Sequence, residues 1–446
     1  MIPPRPETAK GRASLLRYIR GFRRDLLSAL PERLYRAWMA EYRNPLIHSF
    51  FCNDPELVRL ILQQRPGDFP KSNRLREGLT PLLGKSVFVT NGPEWAFQRR
   101  IIDPAFEGGR LREAFHAIDD AARALVGHLP QGQVDIEPLT SLGTADAIFR
   151  AMFSMPIEHD LAARVFAAFR AHQDAQPIVN LAALLPLPDW MPRWHSARTR
   201  RSAAEIRGLI DTLVQRRAKA IRDGTAPDDL ATRIMTTPDP DSGRCFTEAE
   251  MVDQIAIFFL AGHETSASSI AWALWLLASN PDWQDRVAAE AAALTDLASL
   301  SRLRATRAVY REALRLYPPV PMMVREAAQD ARFRNRRVPR GAQLVLSPWH
   351  LHRHQRLWDR PDEFDPGRWA SPEGKASARD AFIPFSAGPR VCPGAGFAMI
   401  EGVTMLARIC AAFRLSPGDT PPVPVARLTV RGRDGILIRL ERRRPE

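Results

Sequence analysis

A single cysteine, Cys392, lies in a turn-rich stretch, Phe385–Gly394, that has glycine and proline on both sides of it. An apolar helical pattern follows from Ala395, so the sequence predicts a loop that leads directly into a helix. Free amide groups and the helix dipole at such a position favour a thiolate, the form of cysteine that binds metals. The alternative is a buried structural cysteine, which is the more common state of an isolated thiol.

A second polar group, Gly262-His-Glu-Thr265, interrupts a long apolar helical pattern. That pattern begins at a capping box formed by Thr247 and Glu250. It continues to Asn280-Pro281, which predicts a helix of roughly 30 residues, about 45 Å long. Glycine and buried polar groups inside a helix are costly, so they indicate a place where a ligand comes close. A membrane span with a polar patch is the disfavoured alternative, because His263 and Glu264 lie at its centre.

Two residue pairs elsewhere in the chain have spacings that place both side chains on one helix face. Trp95 and Arg99 are four residues apart, and Glu312 and Arg315 are three apart. Taken alone, each pair fits an ordinary surface contact, which contributes little to stability.

Composition and pattern together predict a mainly α protein with small β-sheets (α+β). The chain has 446 residues, of which 45% are hydrophobic and 25% charged, as in ordinary globular proteins. No uncharged apolar run approaches the roughly 20 residues of a membrane span, so no transmembrane segment is expected. Four cysteines without a CxxC pair, and an N-terminus without a signal pattern, favour the cytoplasm.

The chain is basic, with 63 Lys and Arg against 50 Asp and Glu, a net charge of +13. No finger, repeat or aromatic-interleaved basic run supports nucleic-acid binding, whereas an acidic partner protein remains open. An apolar loop at 184–194 contains Trp190 and Trp194. Such a loop serves as a lid, a pocket wall or a membrane contact, and core packing is an equal alternative.

These motifs, in their order and spacing, resemble the cytochrome P450 family of heme-thiolate monooxygenases, and the resemblance covers nearly the whole chain. The cysteine stretch matches the family's FxxGxRxCxG loop, and the match continues through an alanine and a glutamate. ExxR, AGxxT, WxxxR and a proline–arginine–aromatic motif are also present, the last with Trp where Phe is usual. The matched residues are Trp95, Arg99, Ala261, Gly262, Glu264, Thr265, Glu312, Arg315, Pro366, Arg368, Trp369, Phe385, Gly388, Arg390, Cys392, Gly394, Ala398 and Glu401.

The resemblance implies heme b, with the Cys392 thiolate as the axial iron ligand. It also implies a buried network behind the cysteine loop, formed by Glu312, Arg315 and Arg368. His263 receives no iron role. The other expected cofactor-binding residues include cations and an indole donor for the heme propionates; the full set is Trp95, Arg99, Ala261, Gly262, Arg325, Phe385, Arg390, Cys392 and Gly394.

By the same resemblance, Thr265 and Glu264 are the expected catalytic pair that delivers protons to bound O2, for which Gly262 leaves room. The implied reaction inserts one oxygen atom from O2 into a hydrophobic substrate, such as a fatty acid, a terpenoid or a hydrophobic aromatic. Electrons would come from a separate acidic ferredoxin or flavodoxin. The alternatives are a heme-thiolate enzyme that uses peroxide or rearranges its substrate, and a heme sensor without turnover.

The expected organisation is one monomeric cytochrome P450 domain over 1–446, a triangular helical prism with a long central helix over heme. Its smaller β-rich part would comprise approximately 40–75 and 325–365, and a C-terminal β-hairpin would span approximately 426–441. The substrate pocket is expected to be apolar and to be lined by Leu82, Leu83, Val87, Phe258, Ala261, Met322, Met323 and residues near Trp190.

Overall fold

The computed structural model describes residues 1–8, 25–43, 48–107, 111–175, 195–426 and 428–444. The Trp190–Trp194 loop discussed above lies outside these ranges. Helices dominate the described chain, as predicted. They are α1 (Pro55–Arg59), α2 (Asn73–Leu83), α3 (Gly92–Ile102), α4 (Leu111–His128), α5 (Ile136–Phe153), α6 (Asp160–Ala175), α7 (Ala197–Arg222), α8 (Leu230–Thr236), α9 (Glu248–Ala278), α10 (Pro281–Ala291), α11 (Arg304–Leu316), α12 (Pro348–Leu351), α13 (Pro372–Ala381) and α14 (Ala395–Ala412).

The strands are short and belong to several small sheets, so the predicted fold class, mainly α with small β-sheets, is confirmed. The largest sheet has the order β1-β2-β7-β4, in which β2 and β7 are parallel. The strands are β1 (Met39–Arg43), β2 (His48–Cys52), β3 (Gly132–Asp135), β4 (Met323–Glu326), β5 (Ala331–Phe333), β6 (Arg336–Val338), β7 (Gln343–Leu346), β8 (Phe413–Pro417), β9 (Pro424–Ala426), β10 (Val430–Gly432) and β11 (Leu437–Arg442).

Helix α9 is the long helix that the sequence predicts. It has 31 residues, and the Thr247–Glu250 capping box is formed in both directions. It packs against α5, α7, α11 and α14, so most of its side chains are buried. A helix that is buried on all sides needs few polar residues, and this explains why the polar group at its centre is conspicuous in the sequence.

Helix α14, which follows Cys392, is the one described helix that is long and apolar enough to cross a membrane. Of its residues, 61% are buried inside the protein. It packs against α4, α9, α10 and α11, which is the position of a core helix. Its apolar composition is therefore accounted for by packing.

Two expectations about local structure are wrong: the loop that the small and apolar residues from Leu79 to Val89 predict, and the C-terminal β-hairpin. The segment from Leu79 is helical up to Leu83, because Ser72 caps α2 and the helix ends only at Gly84, whose φ is +50°. The strands at 426–441 do not pair with each other as a hairpin. Instead β10 pairs with β9, while β11 pairs with β3 and β8, because the turn before Ile436 directs the chain into another sheet.

Candidate functional site

The loop before α14 has a backbone conformation that its glycine and its hydrogen bonds fix. The Cys392 amide donates to the Phe385 carbonyl oxygen at 2.9 Å, which closes the loop. Gly388 has a φ of +69°, and a Cβ atom there would lie 2.1 Å from the Leu62 carbonyl oxygen. Only glycine fits both the left-handed conformation and this close approach. The loop is therefore held against the segment after α1.

Cys392 retains accessible surface at the start of α14, although the surrounding protein is dense. Burial raises the pKa of its thiol, while a hydrogen bond from the Gly394 amide and the charge of Arg99 oppose the rise. The expectation that the helix start alone would favour the thiolate is therefore not met. Metal binding deprotonates a thiol directly, so a metal would supply the missing stabilisation.

A group of cations lies beside Trp95, and we call Lys71, Arg325 and Arg390 the cation cluster. The Lys71 Nζ atom and the Arg390 Cζ atom stand 5.7 and 5.2 Å from the Trp95 ring centroid. Lys71 and Arg325 are joined by a β-bridge. The Nε atoms of both arginines are buried without a hydrogen-bond partner. Within the described ranges, no acidic side chain forms an ion pair with any of the three cations.

This unbalanced charge shifts the pKa values of the cluster itself. Burial, followed by the charges of Arg325, Arg390 and Arg99, lowers the pKa of Lys71 to about 6. Burial and the charge of Arg390 lower the pKa of Arg325 to about 10. Buried cations without counter-charges are unfavourable, and a bound anion relieves them. The two carboxylates of a heme fit this cluster, and Cys392 follows Arg390 by two residues.

Arg99, which the sequence assigns to the same cofactor, has other partners. Its Nη1 atom donates to the Val391 carbonyl oxygen at 2.7 Å, and its Nε atom lies 2.6 Å from Asp103 Oδ1. Arg99 therefore holds the residue next to Cys392 and already has a carboxylate partner. Any role of Arg99 toward the cofactor stays a prediction.

The polar group of α9 divides between two sides of the helix. Ala261 is exposed although its helical neighbours are mostly buried, and Thr265 Oγ1 donates to its carbonyl oxygen at 2.6 Å. Gly262 faces α5, where a Cβ atom would lie 2.6 Å from Ile148 Cδ1. Close packing is thus one reason for the glycine, and its role toward dioxygen stays a prediction.

His263 lies on the packed side of α9. Its ring contacts Phe169 edge-on, and its Nδ1 atom is 2.5 Å from the Phe259 carbonyl oxygen.

Glu264 is buried and bound to the C-terminal strands. Its Oε1 atom accepts hydrogen bonds from Thr429 Oγ1 at 2.7 Å and from Arg431 Nε at 2.8 Å. Burial would raise the pKa of Glu264, but Arg431, His263 and these hydrogen bonds leave it lowered. The side chain is therefore an ionised, paired carboxylate, and no sequence motif marks Arg431 as its partner.

The predicted network of Glu312, Arg315 and Arg368 is confirmed, and we call it the acid–arginine network. Arg315 pairs with Glu312 through two hydrogen bonds of 3.0 and 2.8 Å, and Arg368 Nε donates to Glu312 Oε1 at 3.0 Å. The guanidinium groups also bind backbone carbonyl oxygens, including that of His352 at 2.9 Å. All three side chains are buried.

The acid–arginine network reaches the cysteine loop through His352, which sequence reasoning missed. The His352 carbonyl oxygen is bound by Arg315, and its Nε2 atom accepts the Ile383 amide at 2.9 Å. Ile383 precedes Phe385 by two residues, so the link ends where the loop begins. Lys71 was missed as well, because no motif or spacing marks an isolated lysine in a loop.

Part of the expected pocket lining is wrong. Leu82, Leu83 and Val87 are buried in the hydrophobic core, so they present almost no surface to a ligand. The neighbouring Phe88 is instead 43% exposed. In the loop after α2, Lys85 and Phe88 are exposed while Ser86, Val87, Val89 and Thr90 are buried. The sequence alone does not indicate which of these side chains point away from the core.

Comparisons with known proteins agree with one another. A family profile described as Cytochrome P450 matches residues 33–438. Cyclooctat-9-en-7-ol 5-monooxygenase from Streptomyces melanosporofaciens is 30% identical over 424 residues, covering 93% of this chain and 91% of that protein. Cyclooctatin synthase from the same organism is 30% identical over 380 residues, covering 81% and 80%. The solved cytochrome P450DA heme domain is similar in fold, with a TM-score of 0.80, 24% identity, and coverage of 100% of this chain and 98% of that one.

Proposed function

This chain belongs to the cytochrome P450 family, and from that premise we propose that it oxygenates a terpenoid-like substrate on a heme bound through Cys392. The family consists of heme-thiolate monooxygenases, so the enzyme class and the cofactor are those of the family. The substrate class, the electron donor and the roles of individual residues are the parts that we propose.

The observation that carries the assignment is the position of an accessible cysteine next to cations without carboxylate partners. Cys392 would supply the iron ligand, while Arg325 and Arg390 would bind the propionates with charge-assisted hydrogen bonds. Trp95 would contribute a flat wall beside them. Phe385 and Gly394, at the two ends of the loop, and Ala261 and Gly262 on α9 would border the cofactor.

The bound heme supplies oxygen activation, and a thiolate ligand favours cleavage of the O–O bond. Thr265 would provide the hydroxyl group that holds and passes a proton on the exposed Ala261 side of α9. Glu264, which is ionised in this arrangement, would first take up a proton and then pass it on behind Thr265. Because its Oε1 atom is bound by Arg431 and Thr429, proton transfer from Glu264 requires that this arrangement opens.

One observation supports a terpenoid-like substrate over the other hydrophobic classes. One relative is named for oxygenating cyclooctat-9-en-7-ol, by its name an unsaturated alcohol. The described chain also exposes large apolar side chains at Phe88, Val320 and Leu428, which would suit a hydrophobic substrate of any of these classes.

An acidic ferredoxin or flavodoxin is the proposed electron donor, acting on a monomeric enzyme in the cytoplasm. The net charge of +13 favours an acidic partner. Arg311 lies 4.0 Å above the Trp369 ring and 5.6 Å from that of Phe382, next to the segment that enters the cysteine loop. Arg307 is one turn away on α11 and exposed, so this side of the protein offers positive charge to the donor.

The test is the spectrum of the reduced protein with carbon monoxide. We expect the strongly red-shifted Soret band of a thiolate complex, and its loss in Cys392→Ser. Cys410→Ser serves as the control, because Cys410 is buried within α14. A thiolate spectrum that persists in Cys392→Ser overturns the assignment.

A second experiment compares turnover with reduced ferredoxin and O2 to turnover with peroxide alone, over a series of terpenoid and fatty-acid alcohols. We expect the ferredoxin system to support product formation, and Thr265→Ala to consume reductant with much less product. Efficient turnover with peroxide alone supports the peroxide-using alternative instead. Unchanged coupling in Thr265→Ala removes Thr265 from proton delivery.

A further inference from the structure

A second acid lies close to Glu264 but on another helix. Glu137 is in the first turn of α5, which packs against α9. Its Oε1 atom accepts the Gly432 amide of β10 at 3.1 Å, while Glu264 binds the side chain of Arg431 on the same strand. The two carboxylates therefore meet at neighbouring residues of β10. Sequence motifs assign no role to Glu137, and the proton path described above does not include it.

The backbone of β10 is fixed here, whereas the Arg431 side chain is not enclosed. The Val430 carbonyl oxygen accepts from Ser268 Oγ at 2.6 Å and from Trp272 Nε1 at 3.0 Å, both on α9. The exposed fraction of the Arg431 side chain is 35%, against 4% for that of Glu264. Arg431 thus reaches from solvent to a buried carboxylate, and its guanidinium group can change partner without a movement of the strand.

Negative charge is in excess around Glu137. Asp135 caps α5 by accepting the Glu137 amide at 3.2 Å, so it adds a fixed carboxylate beside it. Burial raises the pKa of Glu137 to about 7, and the charges of Asp135 and Glu264 add to the rise. The Gly432 amide and Arg431 oppose it. Glu137 and Glu264 therefore compete for one guanidinium group, and they titrate as a coupled pair.

His263 is the other titratable neighbour of Glu264. Its Nδ1 atom faces the Phe259 carbonyl oxygen and so carries the ring proton, while its Nε2 atom has no hydrogen-bond partner and lies 4.0 Å from Glu264 Oε2. Burial lowers the pKa of His263 against the charge of Glu264, and Arg431 and Arg170 lower it further. The ring is therefore neutral, and its lone pair favours a protonated Glu264 once Arg431 has left.

We propose that Glu137 supplies the proton that Glu264 passes on, and that Arg431 changes partner between the two carboxylates as this happens. This inference rests on the proposed function. In the structure Arg431 binds Glu264, and Glu137 holds the proton. When Glu137 releases this proton to solvent, its carboxylate attracts Arg431, and Glu264 loses its buried counter-charge. Glu264 then takes up one proton from solvent, so the net charge of the group stays constant.

The first test follows carboxylic acids by infrared difference spectra of the heme-loaded protein against pH. We expect a carboxylic-acid band that titrates near pH 7 in the wild type, is absent in Glu137→Gln and is kept in Glu441→Gln. Glu441 is an exposed acid on β11 and serves as the control. Burial raises the pKa of Glu401 to about 8, so its band should appear in all three proteins and calibrate the signal. A band near pH 7 that persists in Glu137→Gln overturns Glu137 as the holder of the proton.

The second measurement is the product formed per reductant consumed, with the alcohol from the series above that gives most product. The pair holds its proton below about pH 7 and loses it above, so this ratio should fall as the pH of the wild type rises through 7. In Glu137→Gln, Arg431 has no second carboxylate to bind, so the ratio should be about tenfold lower and independent of pH. Glu137→Asp should restore the pH dependence. A wild-type profile in Glu137→Gln overturns the proposal.

Arg431→Gln separates the exchange of partners from a merely structural role of Glu137. Without Arg431, the buried Glu264 keeps a proton at neutral pH, so the ratio should no longer change through pH 7. The double variant Glu137→Gln/Arg431→Gln should then match Arg431→Gln alone. If Glu137→Gln does not fold, a wild-type profile in Arg431→Gln overturns the proposal by itself. A wild type without a thiolate spectrum instead contradicts the proposed function, and the infrared titration still tests whether Glu137 holds the proton.

Discussion

The acid–arginine network and the cation cluster contain similar side chains with opposite charge balance. In the network, one carboxylate, Glu312, binds two arginines, and the remaining guanidinium donors find carbonyl oxygens. In the cluster, three cations have no acidic partner in the described part of the chain, and two buried nitrogens have no acceptor. The network is complete within the protein, whereas the cluster needs an anion from outside.

This contrast separates charges that belong to the protein framework from charges that bind a ligand. A buried ion pair with all its hydrogen bonds made is part of the framework, and breaking it strands a charge. A buried excess of one sign destabilises the free protein and marks a place for a ligand. The two groups therefore respond in opposite directions when a charge is removed.

The largest effect is expected when the carboxylate at the centre of the network is lost. In Glu312→Gln, Arg315 and Arg368 lose their counter-charge while buried, which costs about 3–5 kcal/mol of the free energy of unfolding. Urea unfolding of the heme-loaded protein measures this. Glu363→Gln is the control, since its side chain pairs with the exposed Arg360. A loss similar to that of the control contradicts the structural role of the network.

The network could be predicted from the sequence to a large extent. Glu312 and Arg315 lie on one face of a helix by their spacing, and the family motif added Arg368. Lys71, Arg325 and Arg390 come from distant segments that only the tertiary fold brings together, so no local spacing marks Lys71 as a member. Strand pairing failed for the same reason, because β11 finds its partners at β3 and β8 and not at the adjacent β10.

The next effect concerns histidines that border the network. Burial, and then nearby arginines, lower the pKa of His350 and His352 to about 3, so both rings are neutral in the folded protein. Protonation then favours the unfolded state, whose histidines titrate near 6.5. Stability is fully present above that pH and falls as the pH drops toward 3, by about 2 kcal/mol for each histidine at pH 5.

Unfolding measured at a series of pH values checks this dependence. We expect His350→Asn to reduce the slope of stability against pH by one proton, because the titrating ring is gone. The asparagine amide can replace the ring in the hydrogen bond with Ser347, so the fold should be kept. His128→Asn is the control, since His128 is exposed on α4. An unchanged slope in His350→Asn shows that the ring takes up its proton as readily in the folded protein as in the unfolded chain.

A smaller effect on the free energy of unfolding is expected in the cation cluster, and in the heme-free protein it has the opposite sign. Arg325→Met removes a buried charge without an acidic partner, so the heme-free protein should unfold at the same or a higher urea concentration. The heme-loaded protein should lose heme about tenfold faster, because a carboxylate partner is gone. Destabilisation of the heme-free protein as large as in Glu312→Gln contradicts the distinction between the two groups.

The smallest effect is expected at Arg360. This residue tests whether burial or the number of acidic partners determines how much an ion pair stabilises the fold. Arg360 pairs with Asp359, Glu363 and Asp365, more acidic partners than Arg368 has, yet 55% of its side chain is exposed. Water screens such pairs, so Arg360→Ala should leave the urea midpoint within experimental error. Alanine is the right replacement, because glycine would also relieve the positive φ of 42° at this position. A loss comparable to that in Glu312→Gln would mean that the surface pairs, and not the buried ones, hold the segment that leads to the cysteine loop.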